Sequence, residues 1–250
     1  MTEKLLSIEE GFLNSVGIGA DGWYGVVLVR PDRDKPFVED LGELDPNTGA
    51  KLRPGKTDAD WLETQRGPVG LQVVLVRGDH TKVLVEADHI WGPAAADRTH
   101  AESLLAWTQK TEADWQFILC RNRTQQIVAE FPDLLCEPAV TEINGTAVVA
   151  FRRMTPRGPQ VELMTEDGKE ILAAAGRTPR LAAGPDTCFL VYEEPSADSC
   201  VLQIVEYDGA SIVRQFTLPA GDQLNLAPHL TVDPQDGSVY IVHEGCPAWG

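Results

Sequence analysis

The chain has 250 residues, 43% of them hydrophobic, and its 38 acidic against 21 basic side chains leave a formal charge of −17. That size and apolar share suffice for one large core or two smaller ones. The charge argues against nucleic acid as the main partner, because phosphate binding rests on clustered Lys and Arg, and it repels anionic membrane surfaces.

In chain order, "MTEKLLSIEEGFL" lacks the basic start, apolar core and small-residue cleavage site of a secretory leader. No apolar run approaches the roughly 20 residues that span a bilayer. "GIGADG" near Gly17 lacks the Lys-Ser/Thr pair and following helix of a phosphate loop, and predicts a turn before a strand at Trp23. "GWYGVVLVRPDRDKPFVEDLG" and "LQVVLVRGDHTKVLVEAD" each give a strand, turn, strand texture. A unit from Pro93 follows, with "ESLLAWTQK" and "WQFILCRNRTQQIV". Next come "PAVTEINGTAVVAFRR" from Pro138, "PRLAAGPDTCFLVYEE" from Pro179 and "PHLTVDPQDGSVYIVHEG" from Pro228.

The last three segments repeat one another. Each opens on Pro, has an apolar residue two places on (Val140, Leu181, Leu230), then a turn and an apolar run ending in Phe151, Tyr192 or His243. The first two continue through "QVELMTEDG" and "VLQIVEYDG", whose Asp-Gly pairs supply the positive φ of tight hairpins. These runs are short, β-branched and aromatic, and bounded by Gly, Pro, Asp and Asn, which is strand chemistry. Apolar centres fall at Val27, Val74, Leu105, Val149, Leu190 and Ile241. The prediction is units of about 12–60, 61–92, 93–137, 138–178, 179–227 and a partial 228–250, each opening proline starting a strand where no ladder donor is needed.

A period of about 45 residues with roughly four strands resembles the β-propeller superfamily. That resemblance implies an all-β propeller of about six or more four-stranded blades, the last incomplete in this chain. The alternative for many short strands is a β-sandwich. Neither the Trp-Asp signature of WD40 blades nor the Ser-x-Asp-x-Gly-x-Thr-Trp box of sialidase blades is present, so the subfamily stays open. The final copy stops where its siblings begin a third strand. N-terminal strands, a second polypeptide or further chain would complete it, and the last two are the preferred expectation.

The five cysteines (Cys120, Cys136, Cys188, Cys200 and Cys246) are odd in number and scattered, which predicts reduced thiols and a cytoplasmic protein. No nucleophile elbow, zinc spacing or calcium loop is found. "DPQDG" at Asp233 has two carboxylates and no closing Glu, and His243 and Cys246 are at a strand spacing that opposes their faces. No cofactor or metal is expected. Positions flanking the repeated strands carry Arg180, His229, Arg153, Glu193 and Glu244, and Trp249 stands near the chain end. These six are the candidate partner contacts. The leading reading is a non-catalytic protein-recognition or scaffold module. A sialidase-like glycoside hydrolase would use Arg153, Arg180, Tyr192 and Glu193, and a third reading is a regulatory component cut near Gly250.

Overall fold

The computed structural model describes residues 11–29, 71–78, 80–87, 89–195, 200–219, 223–233 and 235–247. All regular structure among them is β. The first sheet holds β1 (Gly11–Gly19), β2 (Gly22–Val29), β3 (Leu71–Arg77) and β4 (His80–Ala87). The second holds β5 (Ile90–Ala95), β6 (Leu104–Lys110), β7 (Trp115–Arg121) and β8 (Thr124–Phe131). The third holds β9 (Leu134–Ile143), β10 (Thr146–Thr155), β11 (Gly158–Thr165) and β12 (Glu170–Ala175). The fourth holds β13 (Arg177–Ala183), β14 (Cys188–Pro195), β15 (Cys200–Tyr207) and β16 (Ile212–Leu218). The fifth is the pair β17 (Gln223–Val232) and β18 (Val239–Pro247).

Every sheet is antiparallel, with its strands side by side in chain order. The first strands β1, β5, β9, β13 and β17 lie next to one another in succession. The fourth strands β4, β8 and β16 are mostly exposed, and β12 is exposed at half its residues, both ends included, with none buried. Inner strands together and fourth strands outermost is the arrangement of a β-propeller, and the fifth blade is two-stranded.

The cores lie between blades, not within them, because alternate side chains of each strand face opposite neighbours. Tyr24, Val26, Val73 and Leu75 of blade 1 pack with Leu105, Trp107 and Ile118 of blade 2. Leu104, Ala106, Phe117 and Leu119 of blade 2 meet Val140, Val149 and Phe151 of blade 3. Val148, Ala150 and Val161 of blade 3 meet Leu181, Leu190 and Tyr192 of blade 4. Phe189, Val191 and Leu202 of blade 4 meet Leu230, Val232, Val239 and Ile241 of blade 5. Trp107 and Trp115, one on each side of a hairpin, are both buried and belong to successive inter-blade cores.

Two sequence expectations change. The described strands of units 12–60 and 61–92 share one sheet: β2 pairs with β3, and the two expected centres Val27 and Val74 are direct partners across one ladder. The described residues therefore form five sheets, and the short step from Val74 to Leu105 runs from a third strand to a second one. The opening prolines also do not start strands. Pro93, Pro138, Pro179 and Pro228 lie inside β5, β9, β13 and β17, each at a bulge where two residues face one. The residue before each proline has positive φ: Gly92 at 96°, Glu137 at 53°, Thr178 at 56° and Ala227 at 47°. The single residue opposite is Trp107, Phe151, Tyr192 or His243. The aromatic that closes each sequence repeat thus sits against the bulge that opens it. A bulge spares the ladder a donor that proline lacks, so it holds the ring mid-strand without an unpaired partner.

Candidate functional site

Charged residues of the repeats gather around these mid-strand bulges. Arg152 follows the aromatic Phe151, and its Nε lies 3.3 Å from Glu137 and donates to Cys136 Sγ at 3.2 Å. Glu137 in turn accepts the N–H of Thr178, the left-handed residue of the next blade, at 2.8 Å. One blade further on, Glu193 follows Tyr192 and accepts Arg177 Nε at 2.6 Å and the N–H of Ala227, again the next blade's left-handed residue, at 2.7 Å. Thr108, which follows Trp107, donates its hydroxyl to the Leu135 carbonyl of blade 3 at 2.7 Å. The place after the aromatic is therefore a bridge to the next inner strand, directly in Thr108 and Glu193 and through Glu137 in the case of Arg152.

Arg153 clasps the blade 2–3 boundary. Its Nη2 is 2.7 Å from Asp133, its guanidinium carbon is 4.0 Å from the centre of the Phe131 ring, and Nη1 reaches Glu162 at 3.5 Å. Glu162 is buried with one oxygen lacking a partner. Burial, with Glu170 adding and Arg153 opposing, raises its pKa above the ordinary carboxylate value. Further along β9, Glu142 is tied by four donors: the His100 N–H at 2.8 Å, His100 Nδ1 at 2.7 Å, Thr99 Oγ1 at 2.9 Å and Arg121 Nη1 at 2.6 Å. Burial alone would raise its pKa, but these donors outweigh that and hold it below the usual value.

Of the six candidate contacts, Arg153 and Glu193 are thus committed to neighbouring residues of this chain. Glu193 is 3% exposed, so it is not a solvated rim charge. Arg180 is half-buried on β13 and donates to the Pro179 carbonyl at 2.9 Å. His229 and Glu244 are exposed on blade 5. Trp249 lies outside the described residues.

The Tyr192–Glu193 pair of the sialidase-type set does not face one site. Tyr192 and Glu193 are adjacent on β14 and face opposite sides, Tyr192 into the blade 3–4 core and Glu193 toward blade 5. Burial, with Glu194 adding, pushes the Tyr192 hydroxyl up to about 12, further from the phenolate that a nucleophile needs. Cys136 is pushed up to about 11 by burial, against the pull of Arg152. No cluster of metal-binding side chains occurs among the described residues. The bridges through Glu137 and Glu142 escape a reading by sequence alone, although the dipeptides Gly-Pro, Glu-Pro, Thr-Pro and Ala-Pro at the repeat openings mark the bulge that Glu137 occupies.

No family model matches the chain, and no curated protein does. Among solved structures it is similar to TolB from Acinetobacter baumannii, at 15% identity and a TM-score of 0.45 over 70% of this chain and 46% of that one. It is also similar to an α-L-arabinanase mutant from Cellvibrio cellulosa, at 11% identity and a TM-score of 0.39 over 98% of this chain and 89% of that one. The Dos1 propeller matches at 10% identity and a TM-score of 0.39, over 93% and 68% of the two chains. The chain spans less than half the length of TolB.

Proposed function

We propose that this chain is a non-catalytic protein-recognition or scaffold propeller whose fifth blade is completed by strands from elsewhere. The observation that carries the reading is the pair β17–β18: the four sheets before it have four strands, and among the described residues no further strand pairs with β18. An unpaired edge is a template for strand addition, and backbone hydrogen bonds would supply the affinity. The charge of −17 favours a partner of opposite sign and disfavours nucleic acid and anionic membranes. The odd number and scatter of the cysteines support a cytoplasmic setting for this encounter.

Native mass spectrometry on protein isolated from its own source tests the proposal. A second polypeptide or additional chain travelling with these 250 residues is the expected result. A lone species with the mass of the 250-residue chain would reject it.

A further inference from the structure

Blade 5 differs from the blades before it in a second respect, which lies on its face and not its edge. Position by position, the second strands superpose on their central residues Leu105, Val149, Leu190 and Ile241, each of which packs toward the preceding blade. The residues one before and one after the centre face the following blade. In blades 2, 3 and 4 these are Leu104 and Ala106, Val148 and Ala150, and Phe189 and Val191, none more than 6% exposed. In blade 5 they are Tyr240 and Val242, which are 54% and 68% exposed.

The position three after the centre is the bridge described above: Thr108, Arg152, Glu193 and, in blade 5, Glu244. Glu193 receives the left-handed N–H of the next inner strand. Glu244 has the same residue type at the same place, yet it is exposed and its carboxylate makes no hydrogen bond or ion pair with another described residue. His229 stands beside Val242 across the ladder, where blade 4 has Arg180 beside Val191. The outward face of β17–β18 is therefore half of an inter-blade interface, with its apolar pair and its carboxylate in place.

The described residues of blade 1 do not supply the other half. The residues of blade 1 on the side away from blade 2, Val27 and Val76, are themselves 0% and 1% exposed and form their own buried cluster with Val74. A second copy meeting this face would also join two chains of charge −17.

We propose that this face docks a propeller-type β-sheet of another polypeptide. Its first strand carries a left-handed residue ahead of a proline, whose N–H is received by Glu244, and aliphatic side chains that cover Tyr240 and Val242. The chemistry is that of the existing blade 4–5 contact, in which Leu230, Val232, Val239 and Ile241 cover Phe189 and Val191 and the residue before Pro228 donates to Glu193. This proposal rests on the recognition reading and adds where, and by what, the partner is held.

The test is a photo-crosslinker, p-benzoylphenylalanine, placed at position 242 of the full chain in its native host, with position 217 on the exposed β16 as control. The expected adduct joins position 242 to a strand of a different polypeptide, with an X-Pro step within a few residues. Glu244→Lys should cut its yield at least five-fold, while Glu244→Gln, which keeps an acceptor, should retain most of it. Adducts to this chain's own residues, to a second copy, or at a yield no higher than position 217 overturn the proposal. If native mass spectrometry shows a stable partner while position 242 stays silent, the docking geometry is rejected and the recognition reading stands. If no second polypeptide travels with the chain, the docking proposal is rejected, and the recognition reading falls with it only if the mass is also that of the 250 residues alone.

Discussion

Truncating Glu193 to alanine tests whether carboxylates hold the blades to one another. The Glu193 side chain is 4% exposed and accepts Arg177 Nε at 2.6 Å and the Ala227 N–H at 2.7 Å. Glu193→Ala leaves that N–H without its acceptor, and an unsatisfied buried donor costs about 1–3 kcal/mol. The Arg177 side chain is 40% exposed, so water can replace its partner. That loss is on the order of 0.5–1 kcal/mol, in the range of solvent-reachable pairs. Together the two changes destabilise the fold by about 2–4 kcal/mol. Glu193→Gln keeps an acceptor for Ala227 and removes only the charge, at a cost of about 1 kcal/mol. Urea unfolding reads both: with a slope of roughly 3 kcal/mol/M, the alanine variant's midpoint falls by about 1 M and the glutamine variant's by about a third of that. An alanine variant unfolding within about 0.3 M of the parent, or a glutamine variant as damaged as the alanine one, would refute the bridge argument.

Gly92→Ala places a Cβ 2.6 Å from Pro138 Cγ of the next inner strand, at a φ of +96° that side chains avoid. Strain and overpacking together should lower the melting temperature by about 5–15 °C in a thermal scan. Glu142 should shape the acid limb of stability. Its folded pKa is lowered, so the native state binds fewer protons than the unfolded one in that range. Its contribution is present above the ordinary carboxylate value and is lost as pH falls through the lowered one. Glu142→Gln should therefore lose less stability than the parent between about pH 5 and about pH 3, read by chemical unfolding at each pH. Burial pushes the thiols of Cys120 and Cys136 up to about 11 and that of Cys188 to about 12. All three should resist an aromatic disulfide reagent at pH 8 in the native state and react on unfolding, followed residue by residue through peptide mass mapping.

The repeats were legible because the second strands carry the densest apolar runs. "LLAW", "TAVVAF", "CFLVYEE" and "SVYIVHE" are buried toward both neighbouring blades wherever both are present, so their hydrophobicity is nearly continuous and their period stands out. The first blade misled for the same reason. Val27 on β2 and Val74 on β3 sit in equally apolar strands, and no residue pattern separates a second strand from a third when a long segment intervenes. The openings were found through proline and misplaced by it: a proline is visible in sequence, whereas the left-handed residue before it is Gly, Glu, Thr or Ala, four types with nothing in common but a backbone angle. Asp-Gly did announce its turns, and Gly168 and Gly209 have φ of 80° and 93°. The charged positions were identified, but not their state. Glu193 and Glu244 look alike in sequence, and only the presence of a following blade buries the first and leaves the second in solvent.

The bridges that follow Trp107 and Tyr192 both run toward the blade made later in the chain. During synthesis each finished blade would therefore offer its successor a surface with anchor points already in place, and nothing would need to wait for the ring as a whole. Those two bridges favour assembly in the order of translation. A nascent chain emerged from the ribosome as far as β16 would hold four blades locked together, with Glu193 still awaiting the backbone of Ala227.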